Sequence, residues 1–176
     1  MRAPPKMMLL ELPTADEIDD LACTSPEFKV RKFEYDRRNK RADLDHTPCK
    51  GQIVLVVRGV NGTLLVRTKK DKFWGLPSDL MLTTETAAQS VKRIAHDSWG
   101  VGVRSTQLMA MYDVIWHHSD YTVKRLHLVY ECLTDDEECA PGIREAGKEC
   151  VFVADTGKID FKDEIFENAL SDCSEK

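Results

Sequence analysis

The sequence predicts an α/β fold, a mixed sheet with helices on its faces. Three observations predict it. Gln52–Arg58 is a near-continuous apolar run, the pattern of a strand buried on both faces. A second apolar run, Thr63–Arg67, follows across Asn61-Gly62, and two such runs around Asn-Gly are the strongest short hairpin signal. Thr84–Ser98 then places Ala87, Ala88, Val91, Ile94, Ala95 and Ser98 at helical spacing, with Thr84 as cap and Gly100 as stop.

The chain has 176 residues, the length of one domain with a short extension. Hydrophobic residues are 42% and charged residues 31%, which argues against disorder over most of the length. Lysine and arginine total 25 against 30 acids, a net charge of -5, so bulk charge does not tie the chain to nucleic acid. The longest apolar run, Ile53–Val57, falls far short of the roughly 18 residues of a membrane span. Met7–Leu10 is too short for the apolar part of a secretory signal, and Glu11 follows it. The expectation is a cytoplasmic protein with no membrane partner.

Residues 1–13, with Pro4, Pro5 and Pro13, read as an irregular arm. Thr14–Cys23 reads as a short helix, with Thr14 and Glu17 spaced as a capping box. Phe28–Arg41 is the one basic stretch, in which Phe28, Phe33 and Tyr35 interleave with lysines and arginines. It reads either as a surface for RNA or phosphate, or as an edge strand with a solvated basic face, the second being favoured. These pieces form an N-terminal extension over 1–47, and 48–176 forms the main domain. Within that domain, Leu108–Trp116 and Val123–Cys132 are further strands and Asp135–Glu138 is an acidic loop. Cys150–Ala154 is a last short strand and Lys162–Leu170 a terminal helix. Six cysteines, at 23, 49, 132, 139, 150 and 173, include no C-x-x-C pair. They read as reduced thiols, with a zinc site from Cys132, Cys139, Cys150 and a histidine as the alternative.

Trp74–Val101, with the hairpin before it, resembles the Nudix (MutT-like) family. The family's box runs Gly, five residues, Glu, seven residues, then Arg-Glu-aliphatic-x-Glu-Glu-x-Gly-aliphatic. With its last glycine on Gly100, Glu85 and Arg93 take the first Glu and the Arg, and Val101 closes it. Trp74-Gly75-Leu76-Pro77 matches the lead-in. The box is degenerate. Ser78 and Asp79 replace glycines, Ile94 replaces a glutamate, Asp97 keeps one acid and Ser98 replaces the next. The resemblance implies a Nudix-like α/β/α sandwich with a mixed sheet. It also implies relatives that hydrolyse a nucleoside diphosphate linked to another group, using Mg²⁺ or Mn²⁺ and an activated water.

Such chemistry needs a carboxylate cluster, because these ions demand oxygen ligands. On an α-helix, positions 94, 97 and 98 share one face. Here that face offers one carboxylate. The expectation is therefore a Nudix-fold protein weak or inactive in metal-dependent hydrolysis that still binds a nucleotide-like or phosphorylated small molecule. It needs Mg²⁺ or Mn²⁺ if active and no cofactor otherwise. Asp97 is the candidate metal ligand and, with Glu149, the candidate catalytic residue, with Glu145 as another acid near the last strand. Arg58, Arg67, Trp74, Glu85 and Arg93 are the ligand-binding candidates, and Tyr112 or Trp116 are further rings that could stack on a base. By resemblance, Glu85 and Arg93 also form a salt bridge. His117-His118 reads as a loop end, and His96 and His127 as surface residues. The alternatives are an active hydrolase that recruits acids from outside the box, and a non-enzymatic module binding RNA or protein. A homodimer is possible for either.

Overall fold

A computed structural model describes residues 29–38 and 49–174. The irregular arm, the helix expected over Thr14–Cys23, the basic residues Lys40 and Arg41 and the boundary at 47/48 lie outside the described residues. The elements are β1 (Lys29–Arg37), β2 (Cys49–Gly59), β3 (Gly62–Thr68), β4 (Ser78–Leu82), α1 (Ala87–Lys92), β5 (Ser105–His118), β6 (Thr122–Leu133), α2 (Gly142–Glu145), β7 (Lys148–Val153) and α3 (Glu164–Ser174). Beyond Lys92, α1 continues as a π-wound segment over Arg93–Ser98.

The strands form one mixed sheet in the order β1-β5-β6-β2-β3-β7, with β4 paired to β2. β1 runs parallel to β5 and β2 parallel to β6; the other pairings are antiparallel. Alternation along β2 divides the core. Ile53, Leu55 and Val57 pack with Val91, Ile94 and Ala95 under α1. Val54 and Val56 pack with Ile165, Phe166 and Ala169 of α3 on the other face. All five β2 residues are at most 1% exposed, and such burial stabilises by about 1.5–3 kcal/mol per side chain. The expected three layers, helix on sheet on helix, follow from this double burial.

The Asn61-Gly62 turn forms as expected. Gly62 has φ +120°, and a Cβ there would meet the Val153 carbonyl oxygen at 2.3 Å. The hairpin splays at once, since β2 and β3 pair only at Arg58 with Thr63 and Gly59 with Gly62. Trp74–Pro77 is stitched into the gap. Leu55 N donates to Pro77 O at 2.9 Å, and Val66 and Gly75 exchange bonds of 2.9 and 2.8 Å.

Several expectations change. The helix is capped by Thr86 rather than Thr84, because Gln89 three residues on completes a capping box. Ser78–Leu82 is a strand, which the lead-in motif alone did not suggest. The final strand starts at Lys148, taking Glu149 out of the loop that precedes it. His117 and His118 end β5 instead of lying in a loop. Cys139 and Cys150 form a disulfide, which corrects the reading of them as reduced thiols. Two of the three cysteines proposed for zinc are thus consumed. Among the described residues no group of three metal-ligating side chains converges.

Within the basic stretch, Lys29–Arg37 form an edge strand. Arg31, Phe33 and Tyr35 of β1 turn inward while Val30, Lys32 and Glu34 are exposed. Arg31 forms a two-pronged ion pair with Asp172 of α3, which also accepts from the Tyr112 hydroxyl at 2.5 Å. Burial raises the Asp172 pKa, but the hydrogen bonds from Arg31 and Tyr112 outweigh it and leave the carboxyl below its ordinary range. Among the described residues no helix is long and apolar enough to cross a membrane.

Candidate functional site

The first half of the box is a structural clamp. Arg93 Nε and a terminal nitrogen reach the two Glu85 oxygens at 2.7 and 3.0 Å. The same guanidinium donates to Leu80 O at 2.7 Å and to Asp79 at 3.1 Å. Glu85 also accepts from Leu82 N at 3.2 Å and Ser90 Oγ at 2.9 Å. The Arg93 hydrogen bonds hold the Glu85 carboxyl below its usual pKa against the opposing effect of burial. The pair therefore fastens β4 to α1, with both charges already matched.

The second half does not present a common face. The winding widens after Lys92, and Val101 N reaches back to Ala95 O at 2.9 Å. The wider winding turns position 97 away from position 94, unlike on an α-helix. Ile94 is fully buried under the sheet's centre, whereas the Asp97 side chain is 70% exposed and bonds His96 Nδ1 at 2.8 Å. The Ser98 carbonyl accepts from Lys148 Nζ at 2.9 Å. A divalent ion needs several convergent oxygens. An aliphatic side chain, an outward carboxylate and a carbonyl already bound to an ammonium do not fit one.

The acids from outside the box do not repair this. Cys150 and Phe152 of β7 pack on the α1 side and Val153 on the α3 side. Strand alternation therefore directs Glu149 to the α3 side, across the sheet from Asp97. There Glu149 accepts from Arg67 Nε at 2.7 Å, and the Arg67 guanidinium lies 4.1 Å from the centre of the Trp74 ring. Arg67, Trp74 and Glu149 thus come together, but as a self-satisfied stack. Glu145 is exposed on α2. Arg58 faces Glu131 at 3.5 Å and bonds Ser174 at 3.2 Å.

Two of the cavities among the described residues bear on binding. The larger, about 660 Å³, lies along β7, the disulfide and the acidic loop, with Glu137, Glu138 and Arg144 on its walls. Its acidic rim disfavours an anion. The smaller, about 190 Å³, lies on the α3 side and is lined by Gln52, Val54, Ser78, Trp116, Arg125, His127, Asp163 and Phe166. Gln52 donates to Ser78 Oγ at 2.6 Å and accepts from Arg125 at 3.4 Å. Trp116 stacks on Tyr35 at 6.3 Å and tilts over His127 at 5.8 Å. Burial pushes the His127 pKa down to about 3, so the ring is neutral at physiological pH. The expectation of a surface His127 was wrong, since it is 6% exposed. Burial also raises the Asp163 pKa. Of the stacking candidates, Trp116 alone lines this cavity; Tyr112 is buried beneath α3 and Trp74 lies beneath Arg67.

Sequence reasoning missed Gln52, Arg125 and His127 as a group. They come from strands adjacent in the sheet, with Gln52 in register with His127. Nothing local marks that register, although Arg125 and His127 do share the period of one strand face.

No known family's sequence profile matches the chain. No curated protein matches it significantly. Solved structures do resemble it. The pyrophosphohydrolase BsRppH of Bacillus subtilis is 15% identical, with 76% of this chain and 85% of that one covered at a TM-score of 0.51. The NUDIX domain of Shewanella oneidensis NrtR, complexed with ADP ribose, is also 15% identical, with 70% and 87% covered at a TM-score of 0.52. At these identities the likeness is one of fold.

Proposed function

We propose, from the premise that this chain has the Nudix fold, that it binds a nucleotide-like or phosphorylated small molecule without metal-dependent pyrophosphate hydrolysis. The observation that carries this reading is the end of the box helix, where Ile94 is buried, Asp97 turns out to His96 and the Ser98 carbonyl is held by Lys148. The α3-side cavity supplies the binding. Trp116 offers an aromatic face, Gln52 an amide that reads a polar ring edge, and Arg125 a fixed positive charge. A volume of about 190 Å³ suits one planar ring rather than a whole dinucleotide. The ADP ribose held by the NrtR domain supports this ligand class.

The RNA reading loses its footing in the described strand. Arg31 is paired with Asp172, Lys32 lies 3.4 Å from Glu34 and Arg38 lies 3.8 Å from Asp36. The test is calorimetric titration of the full chain with ADP and ADP-ribose, beside a turnover assay with Mg²⁺ and Mn²⁺. Binding weakened at least tenfold by Trp116→Ala, with no turnover, is the expected result. Metal-dependent turnover abolished by Asp97→Ala would instead establish an active hydrolase.

A further inference from the structure

The residues that fail to fit a divalent ion do hold a cation of another kind. Lys148 pairs with Thr68 in the β3–β7 register, and alternation puts it on the α1 side with Cys150 and Phe152. Its Nζ donates to Ser98 O at 2.9 Å and lies 4.9 Å from the centre of the Trp99 ring. Ser98 and Trp99 end the π-wound segment, so the ammonium meets the negative end of the helix dipole and an aromatic face together.

We propose that Lys148 is a resident cation at the end of the box helix that excludes divalent ions. A second cation brought to the Ser98 carbonyl meets both an occupied oxygen and a like charge. The exclusion stands on these contacts alone, on the side of the sheet away from the α3-side cavity.

The test is made on the full chain, with each variant's thermal melt recorded to establish folding. Mn²⁺ binding is read by electron paramagnetic resonance without nucleotide. Wild type and Ser98→Glu bind no Mn²⁺ below the millimolar range. The Ser98→Glu/Lys148→Met double variant, with a second carboxylate beside Asp97 and no ammonium, binds at least tenfold more tightly than Ser98→Glu. Equal Mn²⁺ affinity of the single and double variants overturns the exclusion. No nucleotide takes part, so this outcome is independent of the ligand reading of the preceding subsection.

Discussion

Replacing Glu85 by alanine separates a structural clamp from a ligand site. The substitution takes the acceptor from Arg93 at 2.7 and 3.0 Å, from Leu82 N and from Ser90 Oγ. Ser90 is fully buried, and an unsatisfied buried hydroxyl costs about 1–3 kcal/mol. Removing one member of a buried ion pair costs about 3–5 kcal/mol. The side chains of Arg93 and Glu85 keep 25% and 15% exposure, and Arg93 retains Asp79 and the Leu80 carbonyl. The net expectation is therefore lower, about 2–4 kcal/mol. That corresponds to a Tm lower by roughly 4–16 °C for a chain of this size. Urea unfolding at pH 7 checks it, with the midpoint falling and the m-value unchanged. The same pair sets an acid limit. Because the folded Glu85 pKa is lowered, its stabilisation is complete above the ordinary carboxylate range and is lost as pH falls through the lowered value. Arg93→Met should flatten that acid slope. A loss below about 0.5 kcal/mol in Glu85→Ala, the ordinary range of surface substitutions, would refute the clamp.

Three further outcomes follow from the same geometry. Gly62→Ala should destabilise strongly, with poor soluble yield and a lowered urea midpoint, since φ +120° and a 2.3 Å approach to Val153 O admit no Cβ. His127 should make stability fall below pH 6.5 by up to about 1.4 kcal/mol per unit, because the unfolded ring takes a proton the buried one refuses until about pH 3; His127→Gln should remove that slope in urea midpoints between pH 7 and 5. Arg31→Met should take the guanidinium from buried Asp172 and leave it the Tyr112 hydrogen bond and the Lys29 charge, costing about 3 kcal/mol and exposing the β1 amides to hydrogen exchange.

The parts of the fold legible in the sequence were those written in short-range pattern. The unbroken apolar run of β2, Asn61-Gly62 and the box spacing each state their structure within a few residues. Gly100 closes the helix with φ +67° as its position implies. What depended on pairing between distant strands was not legible. Glu149 looked like a loop acid near the box, yet one residue of strand alternation sends it to the other side of the sheet. His127 reads as polar within an alternating strand, and only the packing of Trp116 against it reveals that it is enclosed. The helix-face argument for positions 94, 97 and 98 assumed α winding, and the widening after Lys92 has no plain signature in the residues themselves.

The Arg31–Asp172–Tyr112 node has a kinetic consequence. Its members lie 141 and 60 positions apart along the chain, so it cannot close until α3 has been synthesised. During translation, the lock between β1, β5 and α3 waits on a single late carboxylate. A nascent polypeptide halted before Asp172 would hold β1 by its pairing with β5 and by Phe33 on the Tyr112 ring, with the Tyr112 hydroxyl still lacking the carboxylate it donates to.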